Sequence, residues 1–426
     1  MQICGKRLYN LLNKIGFVRV SGSEEEAKAA QILLDEIKAI GFEGHEETFE
    51  VTDAVQTTAT LEVLEPYNKT YTVTCYRCAG STPAEGITTE FKYIEDMNDV
   101  ALVGIEGKFV MIQGRLTPEI YKKLLKANIA GYMTFTGDIH DTLENSDLPT
   151  PLMRERLYKH GTVPALNIRV ADAMEMVRDG ASKIHFTAQS ASETLTSRNV
   201  VVTVPGTTYP DEVISFGAHF DSVPFSTGVY DNGAGSVIIM EMLRYFKENP
   251  PKRTLHFCWY GSEEVGLLGS KAYVAAHKDE LENHVLMINV DVAGAILGKD
   301  SAVVTGEQAL ADYTAGLYRQ AGMDVAVKQD IYSSDSIPFA DNGVPGINFM
   351  RFGAPGAAFI HDRRDIIEFI SGDSLAASTE KYLYFAEKVV NAVVMPTKKS
   401  IPQEIVEKVD EYLFKKDEEK KDEKKA

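Results

Sequence analysis

At 426 residues the chain is longer than one ordinary hydrophobic core sustains, so two or three domains are expected. A formal net charge of −18 excludes a nucleic-acid or anionic-membrane surface as the main partner, because both need clustered positive charge. With 44% hydrophobic and 25% charged residues and no run of 18 apolar residues, the composition is that of a soluble globular protein.

The first residues, MQICGKRLYNLLNKIGFVRVSGSEEE, lack the apolar core and small-residue cleavage site of a signal peptide. A cytoplasmic location is therefore expected, or a secreted one if Met1 is not the natural start. Cys4, Cys75, Cys78 and Cys258 are too few for a disulfide framework in a chain of this size and read as free thiols.

Residues 23–41, SEEEAKAAQILLDEIKAIG, carry apolar side chains at helical spacing and end in Gly41, which predicts a capped amphipathic helix. TFEVTDAV, TATLEVLE and TYTVTCYRC read as strands. KFVMIQG, PEIYKKLLKANIAG, YMTFTG, VPALNIRV, ADAMEMVRDG and KIHFTAQ then alternate strand and helix, which predicts a small α/β insert over 56–192. After SASETLTSRN a longer alternation begins. VVVTV, VISFGA, TLHFCWY and VLMINVD are strands, and SVIIMEMLRYFKEN is a helix apolar on most faces. Alternation of this kind predicts an α/β fold with a mostly parallel mixed sheet flanked by helices, assembled from 1–55 and 193–400. SLAASTEKYLYFAEKVVNAVV reads as a late helix, and 401–426, ending KKDEEKKDEKKA, as a charged C-terminal helix or tail.

In an open α/β sheet, sites form beyond the carboxyl ends of the strands. Those positions offer His219 and Asp221 after VISFGA, Glu263 and Glu264 after TLHFCWY, and Asp291 after VLMINV. Asp231 precedes the apolar helix, and FIHDRRD adds His361 and Asp365. Imidazole and carboxylate converging from separate segments suit a zinc site of mixed nitrogen and oxygen donors. Five candidate ligands, His219, Asp231, Glu264, Asp291 and His361, suit two ions about 3.5–4 Å apart that share a carboxylate.

In order and spacing, GAHFDS, VYDNGAGS, GSEEVGLLGS, INVD and the late His-x-x-x-Asp resemble the motifs of the co-catalytic di-zinc aminopeptidase family. Its wider kin include glutamate carboxypeptidase II, glutaminyl cyclase and the transferrin receptor. The resemblance implies the zinc exopeptidase (phosphorylase/hydrolase-like) fold, with a protease-associated domain as the insert. It further implies one zinc on His219 and Asp291, a second on Glu264 and His361, Asp231 bridging them through its carboxylate, and a cis peptide bond between Asp231 and Asn232. Other divalent metals are possible occupants. Glu263 becomes the general base, and Asp221 orients His219. Two departures stand out: relatives have Ser-Asp-His where this chain has Ser334, Asp335 and Ser336, and some place a tyrosine where Ile360 stands. Tyr332 and Arg351 are the candidates left for stabilising the oxyanion.

The implied function is removal of N-terminal residues from peptide substrates by a metal-activated water. The alternatives are a carboxypeptidase or dipeptidase on the same scaffold using Arg351, Arg363 and Arg364, a glutaminyl cyclase-like acyl transferase, and a non-catalytic binding protein. Neither the residue preference nor the oligomeric state is encoded in any motif.

Overall fold

A computed structural model describes residues 3–113 and 116–415. The chain divides into two compact units, one made of the described parts of Met1–Val51 and Thr196–Lys416, the other of those in Thr52–Leu195. The end of the charged tail, 416–426, lies outside the described residues.

The first unit is built on an eight-stranded sheet. Its strands in chain order are β1 (His45–Asp53), β2 (Glu193–Val204), β3 (Tyr209–His219), β4 (Arg253–Tyr260), β5 (His284–Val290), β6 (Gly298–Thr305), β7 (Ala326–Gln329) and β8 (Gly346–Gly353). Their spatial order is β1-β2-β4-β3-β5-β8-β6-β7. The four central strands β4, β3, β5 and β8 are mutually parallel, with Ala218 opposite Trp259, Phe216 opposite Ile288, and Ile288 opposite Ile347. Four carboxyl ends therefore open onto one edge. β2 and β6 run antiparallel to their neighbours β4 and β8, which makes the sheet mixed.

Helices α1 (Gly5–Ile15), α2 (Glu24–Ile40), α3 (Ala234–Glu248), α4 (Leu268–Ala276), α5 (Gln308–Ala321), α6 (Ser336–Asp341), α7 (Gly372–Val390) and α8 (Gln403–Tyr412) belong to this unit. α2 begins where Ser23 Oγ accepts the N–H of Glu26 at 3.0 Å and ends at Gly41, whose φ of 94° closes the helix in the left-handed region. Residues 234–243 of α3 are all buried, as its apolar sequence predicts for a helix covered by the sheet on one side and by α1 and α7 on the other. Phe216 and Phe257 stack at 4.6 Å in the same core, each contributing roughly 1.5–3 kcal/mol by burial. Trp259, fully buried, donates its indole N–H to Ser236 O at 2.9 Å.

Two features were not anticipated. β6, β7 and β8 are absent from the pattern expected of the sequence, because GKDSAVVT and GINFMRFG are short, glycine-bounded runs interrupted by charged residues. The segment 401–415 contains a helix, α8, and that helix is docked: Ile405 and Val409, one turn apart, are buried, and Val409 packs with Leu267, Ile337 and Ala340. The charge of KVDEYLFKKD had masked that narrow apolar stripe.

The second unit has its own eight-stranded mixed sheet, in the order Lys69–Tyr71, Thr57–Glu65, Lys183–Ser190, Ile87–Ile94, Phe109–Ile112, Gly131–Thr136, Ala165–Arg169, Val73–Cys75. TYTVTCYRC therefore supplies two short strands rather than one. The unit's core includes Leu61, Phe109, Ile168 and Phe186, the two phenylalanines with ring centroids 4.4 Å apart. Among the described residues no helix is long and apolar enough to cross a membrane.

Candidate metal centre

The residues singled out at strand ends meet at the open edge of the central sheet. His219 is the last residue of β3, opposite Tyr260, the last of β4. Glu263 and Glu264 follow β4 after Ser262, which has a φ of 57°. Asp291 follows β5, and His361, at φ 56°, lies beyond β8. Asp231 sits in the turn Val229–Gly233 that leads into α3, and the Asp231-Asn232 peptide is cis.

Asn232 locks that turn to the strand end beside it. Its Nδ2 donates to Val290 O at 2.8 Å, and its Oδ1 accepts from Gly235 N at 3.0 Å and Val292 N at 3.2 Å. The residues on either side of Asp291 are thus tied to the residue after Asp231. A Cβ on Gly235 would fall 2.4 Å from Val290 O, so only glycine lets α3 approach this closely.

Asp231 faces two ways. Its Oδ1 lies 3.2 Å from His219 Nε2, and its Oδ2 lies 3.2 Å from His361 Nε2. His219 Nε2 is also 3.5 Å from Asp291 Oδ1, and His361 Nε2 is 2.9 Å from Glu264 Oε2. Two three-residue groups result, His219–Asp231–Asp291 and Asp231–Glu264–His361, each with donor atoms within 4.8 Å of one another. The first is buried; the second opens to solvent at His361, whose side chain is 54% exposed.

The electrostatics reflect crowding of carboxylates. Burial lowers the His219 imidazole, but the surrounding carboxylates of Asp221, Asp231 and Asp291 outweigh it and hold its pKa well above normal. His361 is lifted to about 11 by Asp231 and Glu264, again against burial. Burial raises the carboxyls of Glu263 and Glu264, the latter to about 7. Asp291 Oδ1 is buried and accepts no hydrogen bond. Two imidazoles and three carboxylates, with one carboxylate between the groups, suit borderline-soft divalent cations, and their charge would relieve this crowding.

Neighbouring residues hold these groups in place. Asp221 Oδ1 is 3.4 Å from His219 Nδ1. Asp365, fully buried and raised by that burial to about 6, accepts the N–H of Tyr230 at 2.8 Å and of Asp231 at 3.1 Å. Asp335 is also fully buried, and its pKa is pushed up to about 7 by desolvation.

The oxyanion candidates separate. Tyr332 is half-buried, its ring 6.1 Å from that of Phe352, and burial together with the charge of Asp291 and Asp231 raises its hydroxyl. Arg351 does not join the centre: its guanidinium bonds Asp300 Oδ2 at 2.8 Å, Ala295 O at 2.7 Å and Ile296 O at 3.4 Å. Strand alternation accounts for this, because Arg351 pairs with Asp300 across β8 and β6 and is drawn to that carboxylate. Arg364, a candidate for binding a carboxylate, lies in a fork with Asp362 at 2.8 and 2.6 Å. Arg19, described below, carried no sequence signal, and Asn232 was marked only by the peptide bond to Asp231; their partners are mostly main-chain atoms far away in the chain.

Residues 199–386 match the family described as Peptidase family M28. Aminopeptidase YwaD of Bacillus subtilis is 27% identical over 376 residues, covering 84% of this chain and 78% of that protein. Carboxypeptidase Q of Bos taurus is 25% identical over 426 residues, covering 93% and 86%. Among solved structures, a zinc aminopeptidase from Bacillus subtilis superposes with a TM-score of 0.77 at 21% identity, over 95% of this chain and 99% of that one. A peptidase M28 precursor from Shewanella amazonensis gives 0.73 at 24% identity, over 94% and 95%. Ordered motifs, the fold and the match of residues 199–386 to peptidase family M28 together identify the chain as a metallo-exopeptidase.

Proposed function

We propose that the chain is an aminopeptidase that removes single N-terminal residues from peptides using two zinc ions. His219 and Asp291 would hold one ion, Glu264 and His361 the other, and Asp231 both. The observation that carries this reading is Asp231, whose two carboxylate oxygens are directed to different histidines. When bound, the ions would supply Lewis acidity, lowering the pKa of a water and polarising the scissile carbonyl.

The chain's own residues do the rest. Glu263, adjacent to Glu264 yet in neither donor group, takes the proton of the attacking water and delivers it to the leaving amine. The Tyr332 hydroxyl, kept protonated, donates to the negative charge that develops on the carbonyl oxygen. The carboxylates around the centre favour a substrate's free ammonium. A substrate carboxylate finds no such welcome from Arg351 or Arg364, each already paired with an aspartate.

Carboxypeptidase Q, similar over most of the chain, makes the opposite polarity the one to test against. Aminoacyl-anilides should be hydrolysed, N-blocked dipeptides with a free carboxyl should not, and a chelator should abolish turnover. Metal analysis near two ions per chain is expected; one ion would favour cyclase-like chemistry. The unit Thr52–Leu195 we take as a protease-associated domain on the strength of its separate core. All four cysteines are free, in keeping with the reducing cytoplasm.

A further inference from the structure

Arg19 lies between α1 and α2 in GFVRVSGS, and none of its surface reaches solvent. A buried guanidinium is expensive unless its donors are satisfied, and the usual solution is a carboxylate partner. Here the partners are five main-chain carbonyls. Nε donates to Phe220 O; Nη1 donates to Ile15 O and Phe17 O at 3.0 Å and to Thr227 O at 2.5 Å; Nη2 donates to Gly228 O at 2.8 Å. Burial lowers its pKa to about 10, which leaves it charged at neutral pH.

The acceptors are not scattered. Phe220 stands between His219 and Asp221, and Thr227 and Gly228 open the turn that carries Asp231. The main chain of Arg19 adds to the connection, its N–H donating to Ser222 Oγ at 3.1 Å and its carbonyl accepting from Ser222 N at 3.2 Å. A Cβ on Gly228 would lie 3.0 Å from Arg19 Nη2 and 2.7 Å from Ser222 Cβ, so the guanidinium is packed against that turn. Two residues on, Ser21 Oγ meets Ser262 Oγ at 2.5 Å, immediately before Glu263. The short segment 19–21 therefore touches all three loops that carry His219, Asp231 and the two glutamates. The charges that act on the guanidinium from further off are Asp365, Asp221, Asp231 and Glu264.

We infer that Arg19 is a positioning residue: a permanent internal cation that binds the His219 and Asp231 loops to each other and so holds their side chains ready for metal. The inference rests on the reading that these side chains hold metal. A rigid fork of five donors is what this task requires, because one flat group can reach carbonyls of separate loops at once. A methionine of similar length would withdraw the donors from all five carbonyls, although Ile15 O and Gly228 O also accept the N–H groups of Phe17 and Gly233, and would free the two loops to separate.

The sheet supplies a control. Arg253 is 1% exposed and also donates to main-chain carbonyls, those of Val389, Val390 and Ala392, but it stands at the start of β4, at the opposite end of that strand from Glu263. Zinc affinity is measured by competition with a chromogenic chelator, and thermal stability in excess chelator, for the parental protein, Arg19→Met, Arg19→Lys and Arg253→Met. Arg19→Met should bind zinc at least tenfold more weakly, and Arg19→Lys to an intermediate degree. Arg253→Met should lose stability yet bind zinc within twofold of the parent. Arg19→Met with parental affinity, whatever its stability, overturns the inference; should that variant not fold, Arg19→Lys at parental affinity overturns it and a weakened one supports it. A parental protein that binds no zinc would overturn the metal reading itself, a result distinct from equal binding by all variants.

Discussion

Asp221 grips the backbone of Glu263: its Oδ1 accepts the Glu263 N–H at 3.0 Å, while its Oδ2 accepts that of Glu264 at 3.2 Å. The same Oδ1 lies 3.4 Å from His219 Nδ1. One fully buried carboxylate thus sets the position of a candidate ligand on β3 and of the base and ligand that follow β4. Asp221→Asn keeps the shape but turns a donor toward one of those N–H groups. Metal affinity and kcat should each fall roughly 10–100-fold, the usual cost of removing a residue that orients a ligand. Equilibrium dialysis and steady-state kinetics on the same preparation check this; unchanged metal binding would limit the role of Asp221 to the glutamate turn.

Glu263→Gln removes the base without altering either three-residue donor group. Its metal content should match the parent, while turnover of aminoacyl-anilides drops by about 10²–10⁴. A variant that keeps parental kcat assigns proton transfer to another residue.

His284, at the start of β5, is fully buried with Nδ1 2.7 Å from Ser215 Oγ, and burial lowers its pKa from the ordinary 6.5 to about 3. Below pH 6.5 the unfolded chain takes up a proton here that the folded chain refuses. Stability from this group is therefore complete above 6.5 and lost progressively as pH falls toward 3. At pH 5 the loss amounts to roughly 1–2 kcal/mol. Urea unfolding of the metal-free protein at pH 7 and pH 5, with His284→Gln alongside, isolates it: the variant should show a smaller decline than the parent.

Removal of 401–426 should damage catalysis as well as stability. α8 buries Val409 against Leu267, Ile337 and Ala340, and Tyr412 Oη meets Ser333 Oγ at 2.5 Å, next to Tyr332. Without that cover the apolar side chains are exposed, at a cost on the order of 2–4 kcal/mol, and the Tyr332 loop loses an anchor. The expected signature is a lower melting temperature together with reduced kcat at unchanged metal content. Parental kinetics would dissociate α8 from the centre.

How far the centre could be read in advance follows from where each residue sits. His219, Glu264 and Asp291 were legible because apolar strands are recognisable and whatever follows them in an α/β sheet is brought to one edge. Asp231 and His361 were legible as an aspartate before the apolar helix and a late histidine, and the order of motifs gave each its pairing. Arg351 could not be placed, since its direction depends on Asp300, a partner set by the register of two strands that had not been recognised. Arg19 and the hydrogen-bonding role of Asn232 stayed hidden for a related reason: most of their partners are carbonyl and N–H groups, which carry no residue identity. α8 was legible in part, as Ile405 and Val409 are spaced for one helix face, but neighbouring charges obscured them.

The contacts of Arg19 with Phe220, Thr227 and Gly228 join positions 201, 208 and 209 residues apart, and α8 packs from the far end of the sequence on Leu267, Ile337 and Ala340. Such distant pairings are paid for in loop-closure entropy before they stabilise anything, which slows folding. During synthesis Arg19 can clamp these loops only once Gly228 has emerged, and His361 reaches Asp231 later still, so the candidate centre is completed late.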